Sequence, residues 1–176
     1  GQTKGRTTYT VTVSGKIQDV FGQTLGADAR LSFKVGSADP LLAGADQTFV
    51  TLDPAAVKPV FSVYAINQKQ LDLKIYSVQP SDWPAFRKYL RDRFETKTTA
   101  TPPGRLLSAK SLNLDLPADT LSQVDVQLSE FMSGPSGQFV VMLAPPKALV
   151  ETENARYRRI SQTVVTWVQV TQIGLD

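Results

Sequence analysis

Any chemistry in this chain must come from carboxylates, hydroxyls, amines and backbone groups, because its 176 residues contain no histidine and no cysteine. That absence excludes Ser-His-Asp and Cys-His catalysis, zinc held by His or Cys, iron–sulfur clusters and disulfides. Asp115, Asp119 and Asp125 lie close together in sequence. Glycoside hydrolysis needs two carboxylates facing across a cleft, and proximity along the chain does not supply that, so the three read as solvated strand-edge residues. Asp19 with Asp28 offers oxygen ligands for calcium, yet two carboxylates without a ligand-dense loop make a poor site. Asp19 reads instead as an Asx-turn residue. Ser108 and Lys110 stand two apart, which on a strand puts them on one face, but nothing else supports a Ser-Lys pair. Trp83 and Trp167 would stack on a sugar if exposed, although both sit in patterns that read as core or interface. No phosphate-binding Gly-x-x-x-x-Gly-Lys-Ser/Thr run and no Gly-rich strand-to-helix loop occurs. The expected catalytic, cofactor-binding and metal-binding residues are therefore none, no cofactor is expected, and the chain does not read as an enzyme.

Composition bounds the partners. Hydrophobic residues make up 41% of the chain, which supplies a real core and is too much for a disordered segment. No run of 18 apolar residues is present, so membrane association is expected only through parts outside this segment. The net charge is +3, from 19 basic and 16 acidic residues. The densest basic stretch is Arg87, Lys88, Arg91, Arg93 and Lys97, broken by Asp92 and Glu95. It reads as the solvated face of one helix, since a nucleic-acid site would show a stronger stripe interleaved with aromatics. No nucleic-acid partner is expected.

The elements that must position these residues are mostly strands. Tyr9, Val11 and Val13 alternate with threonines, and Leu31, Phe33 and Val35 alternate with Ser32 and Lys34. With a turn between Asp19, Gly22 and Gly26, these predict a hairpin over residues 7–36 with one buried face, in need of a partner sheet. Residues 37–46 are small and polar and read as a linker. Phe61, Val63 and Ala65 then oppose Val60, Ser62 and Tyr64, predicting a central strand. It is followed by Leu71, Leu73 and Ile75 alternating with Asp72, Lys74 and Tyr76. The two are expected to pair as an antiparallel hairpin through Asn67.

One helix is predicted, over residues 80–94. Ser81 or Asp82 is expected to cap it, Pro84 fits its first turn, and Trp83, Phe86, Leu90 and Phe94 form its apolar stripe. Further strands are expected around Arg105–Leu116, Gln123–Phe131 and Gly137–Pro146, the last two joined by a turn at Gly134–Gly137. Residues 147–159 read as a long polar loop. The last strand, through Val164, Thr166, Val168 and Val170 on one face with Val165 and Trp167 on the other, suits a sheet interior. About seven short strands and one helix over residues 45–176 predict an antiparallel sandwich. The chain ends two residues after Gly174, straight after that strand, and is expected to be one piece of a longer β-rich protein.

These residues resemble a known family. The turn Asp19-x-x-Gly22-x-x-Leu25 followed by Phe33 is similar to the closing strands of a bacterial Ig-like domain. Residues 49–90, 128–146 and 166–175 together resemble an early macroglobulin-type domain of bacterial α2-macroglobulins, in order and spacing rather than in any one motif. The resemblance implies an all-β fold, an antiparallel sandwich with one inserted helix. It implies residues 1–38 as the truncated C-terminal hairpin of an Ig-like domain and residues 45–176 as the macroglobulin-like domain. It also implies a multidomain protein of the periplasm or cell envelope that traps proteases, with neighbouring domains of the same chain and target proteases as partners. Many members carry a Cys-x-Glu-Gln thioester, which a chain without cysteine cannot contain, so only a scaffold role carries over. The alternative is an Ig-like module of a surface adhesin or a carbohydrate-binding protein.

Overall fold

The computed structural model describes residues 3–45, 47–55, 59–95, 100–147 and 152–172. The chain divides into two compact units, Gly1–Asp39 and Pro40–Asp176.

The first unit is a two-stranded antiparallel sheet. Strand β1, Thr8–Val13, pairs with β2, Ala29–Lys34, placing Tyr9 opposite Phe33 and Val11 opposite Leu31. The Tyr9 and Phe33 rings stack with centroids 5.7 Å apart. The connection is built by side-chain-to-backbone bonds. Asp19 accepts hydrogen bonds from the backbone N–H groups of Phe21 and Gln23, both at 2.9 Å. Gly22 takes the φ of 83° that the turn requires. The expected burial of one face is not found. Val11, Leu31 and Phe33 all remain exposed, because a two-stranded ribbon has no second layer to cover them.

The second unit is a sandwich with helices on one outer face. Strands β3 (Leu41–Ala43), β5 (Val60–Ile66) and β8 (Ser122–Gln127) form one antiparallel sheet in the order β3-β5-β8. Strands β4 (Phe49–Leu52), β6 (Gln70–Ser77), β7 (Arg105–Asn113), β9 (Gly137–Ala144) and β10 (Val164–Val170) form the other, ordered β4-β10-β9-β6-β7. All pairings are antiparallel except β10 with β4, which run parallel. The inner faces meet in one core that includes Phe61, Val63, Leu71, Leu73, Ile75, Val126, Phe139, Leu143 and Val168. Burying about ten such side chains at roughly 1.5–3 kcal/mol each is the main favourable term of this fold.

Four expectations are corrected. Strands β5 and β6 do not pair. They lie in opposite sheets, and both send their apolar residues into the shared core. Alternation specifies which face is buried, not which strand is the neighbour. The chain turns between the sheets at Asn67, whose φ is 51°. Strands β8 and β9 are likewise in different sheets, joined through a short 3-10 turn at Ser129–Phe131 rather than by a hairpin. The expected linker contains β3, which pairs with β5 and sends Leu42 into the core. Finally, the expected polar loop forms a second helix, α2, over Glu153–Ser161. Thr152 caps it by accepting a hydrogen bond from the Ala155 N–H at 3.2 Å, with Glu153 in its first turn and Arg158 and Arg159 in its last.

The predicted helix is α1, Trp83–Asp92, entered through a 3-10 turn at Pro80–Asp82. Gln79 is the capping residue, and Asp82 completes the capping box by accepting the Gln79 N–H at 2.9 Å. Ser81 takes no part in the box. Lys97, Gly174 and the rest of the residues after Gln172 lie outside the described residues.

Candidate functional site

Among the described residues no group of His, Cys, Asp or Glu is placed to hold a metal ion. Four of the five carboxylates named from sequence are bound to structural partners. Asp28 accepts the Gly15 N–H at 2.8 Å, and Asp19 closes its own turn. Asp119 exchanges two 2.8 Å hydrogen bonds with Asn67: its N–H donates to Asn67 Oδ1, and its carboxylate accepts from Asn67 Nδ2. Asp125 accepts from Ser62 Oγ at 2.7 Å and Gln123 Nε2 at 2.8 Å, and these bonds hold its carboxyl below the usual range. Asp115 is exposed. Ser108 and Lys110 sit on edge strand β7 opposite Ile75 and Leu73, with no hydrogen bond between them.

The best-built feature outside the sandwich core is the seam between α1 and the outer face of the five-stranded sheet. Phe86 and Tyr89 are buried there against Val140, Val165 and Trp167. Trp167 is 1% exposed, and its Nε1–H donates to Gln138 Oε1 at 3.2 Å. Trp83 meets it edge-on, at 5.3 Å between centroids, and touches Phe86 at 5.5 Å and Phe49 at 5.9 Å. Trp167 is therefore a core residue and offers no platform to a sugar. The stripe departs from its prediction at one end: Phe94 is 40% exposed, and Tyr89, off the predicted stripe, is buried instead. Burial raises the Tyr89 hydroxyl above its ordinary pKa, and that hydroxyl points at Met142 Sδ, 3.7 Å away.

The two helices meet beside this seam. Arg156 Nη2 donates to the Glu95 carbonyl at 3.1 Å, and the Phe94 and Tyr157 rings lie 6.4 Å apart. Arg159 is held by the Pro145 carbonyl at 2.8 Å and by Asp72. Arg93 lies over the Phe94 ring, 4.7 Å from its centroid, and Nη1 donates to the Thr163 carbonyl at 3.2 Å. The sequence marked Arg93 only as part of a solvated basic face. Its half-burial depends on α2 and the start of β10, which no local pattern reveals.

This arrangement of ribbon, sandwich and helix layer has solved counterparts. The crystal structure of native alpha-2-macroglobulin from Escherichia coli spanning domains MG0-NIE-MG1 aligns over 99% of this chain, with a TM-score of 0.56 and 15% identity. The chain carries the fold of a segment of bacterial alpha-2-macroglobulin. Salmonella alpha-2-macroglobulin reacted with methylamine aligns over 93% of the chain, with a TM-score of 0.56 and 14% identity. The native E. coli alpha-2-macroglobulin seen by cryo-EM aligns over 96%, with a TM-score of 0.53 and 14% identity. The chain spans 53% of the first alpha-2-macroglobulin structure and 9% and 10% of the other two. No family model matches the sequence, and no curated protein matches it. The likeness to alpha-2-macroglobulin is therefore one of fold.

Proposed function

We propose that this chain is a scaffold module of a bacterial alpha-2-macroglobulin-like protease inhibitor that traps proteases in the cell envelope. The observation that carries this reading is the alignment of 99% of the chain, ribbon and sandwich in one order, with a segment of an E. coli alpha-2-macroglobulin. In this reading residues 1–38 close an Ig-like domain and the macroglobulin domain, expected over residues 45–176, starts at Pro40 so as to include β3. The open face of β1 and β2 is covered by strands of that Ig-like domain. The contribution to trapping is mechanical: a sandwich braced by α1 holds neighbouring domains at fixed angles, and any thioester lies elsewhere in the protein. The parts that meet a protease or reach a membrane likewise lie outside this segment.

The test is to mix the polypeptide that contains this chain with a protease and resolve the products by size-exclusion chromatography. Co-elution of active protease with the cleaved polypeptide is expected. Full cleavage with the protease eluting free would reject the reading.

A further inference from the structure

Charge is distributed unevenly over this molecule. Residues 83–95 and 153–161, the two helices and the turn after α1, hold seven cations (Arg87, Lys88, Arg91, Arg93, Arg156, Arg158, Arg159) against three anions (Asp92, Glu95, Glu153). The whole chain has 19 against 16, so the remainder holds 12 against 13. The helix layer alone makes the chain basic. Its junction also interleaves exposed aromatics with those cations. Phe94 is joined by Tyr157, 63% exposed, the two rings packed against each other.

Arg93 is the anomaly within this layer. A guanidinium carries five N–H donors. Among the described residues Arg93 uses one hydrogen bond, to Thr163, while its Nε–H is buried without an acceptor. No described carboxylate pairs with it, although a partly desolvated cation ordinarily needs one. Burial accordingly pulls its pKa down. Beside it opens a cleft of about 450 Å³, lined by Leu42, Gly44, Thr48, Gln162 and Val164 among others. Its walls are mixed, with Leu42 and Val164 beside Thr48, Ser161 and Gln162, and the Arg93 guanidinium lines it as the one charged group among the described residues, available for a carboxylate.

We propose that this cleft is a docking site for an acidic peptide segment from outside this chain, with one carboxylate pairing with Arg93. A planar carboxylate matches the guanidinium fork. The exposed cations Arg87, Arg91 and Arg158 of the same helix layer add long-range attraction for the rest of the segment over a Debye length. The site does not depend on the trapping role proposed above.

The test uses fluorescein-labelled pentaglutamate, followed by anisotropy at physiological ionic strength, with pentalysine and duplex DNA as comparisons. Pentaglutamate is expected to bind. Arg93→Gln should weaken it about tenfold, as a desolvated charge-assisted pair would, and Arg91→Gln only about threefold, as a screened one would. Arg93→Gln removes a cation whose Nε–H is unsatisfied, so its melting temperature should stay near that of the parent. If it does not, Arg93→Lys serves as the second variant, and the Arg93 Nε–H resonance of the parent should move on peptide addition. Any of three results would overturn the site: no binding of pentaglutamate, equal weakening by Arg93→Gln and Arg91→Gln, or duplex DNA binding as tightly through the same residues.

Discussion

Trp167 on strand β10 stands edge-on to Trp83 at the start of α1, their centroids 5.3 Å apart and their planes at 80°. This contact ties the helix to β10, an interior strand of the five-stranded sheet. Trp167→Ala should cost about 3–5 kcal/mol in chemical denaturation, as large buried aromatics do. Trp83→Ala, at a half-buried position, should cost about half as much. A double-mutant cycle should return a coupling of roughly 0.5–1.5 kcal/mol. Additive losses would show that the pair does not fasten the helix.

Asn67 and Asp119 fix the crossing of the chain between the two sheets. Asn67 adopts φ 51° while exchanging hydrogen bonds with Asp119. Asn67→Ala loses both the bonds and the residue type best suited to that backbone, and should lower stability by about 1–3 kcal/mol. Asn67→Gly relieves the backbone but not the lost bonds, so it should fall between the two in urea midpoint.

Gly104 precedes strand β7 with φ 88°, and a Cβ there would stand 2.2 Å from the Ser77 carbonyl oxygen. Gly104→Ala should therefore destabilise by more than about 1 kcal/mol. Gly134, whose surroundings are open, should accept alanine within about 0.5 kcal/mol. Thermal melts of the two variants distinguish them.

Tyr89 gives a signature in alkali. Burial raises its pKa, opposed by Arg93 and Arg159 and reinforced by Tyr76, which burial also raises. A group raised on folding contributes stability that is present below its unfolded pKa, near 10 for tyrosine, and is lost as pH climbs through the folded value. Stability should thus fall above about pH 10, and Tyr89→Phe should fall less steeply over that range. Denaturant midpoints at neutral and alkaline pH measure the difference.

The sequence disclosed burial better than neighbourhood. The alternation of Leu71, Leu73 and Ile75, and of Phe61, Val63 and Ala65, marked both inward faces correctly. It could not show that the strands face each other across the core, since pairing and packing leave the same period-two trace. Val140 and Val165 alternate with the residues that line the sandwich core, and they are buried as well because α1 covers the outer face, a cover that alternation alone does not identify. Helix α2 went unseen because ENARYRRIS has no apolar stripe. Its signals were the Thr152 cap, Glu153 at the start and two arginines at the end. The candidate cleft was illegible altogether: Arg93 meets Thr163 across 70 residues of sequence.

The central claim is that this chain serves as a scaffold in protease trapping without chemistry of its own. It is tested most directly by comparing cleavage of casein and of a short chromogenic peptide by a protease mixed with the whole polypeptide. Casein cleavage should fall while peptide cleavage persists, since a trapped protease keeps its active site and loses access to large substrates. The same polypeptide carrying Trp167→Ala should lose that selectivity as its brace fails. Equal suppression of both substrates, or inhibition by the isolated chain alone, would contradict it.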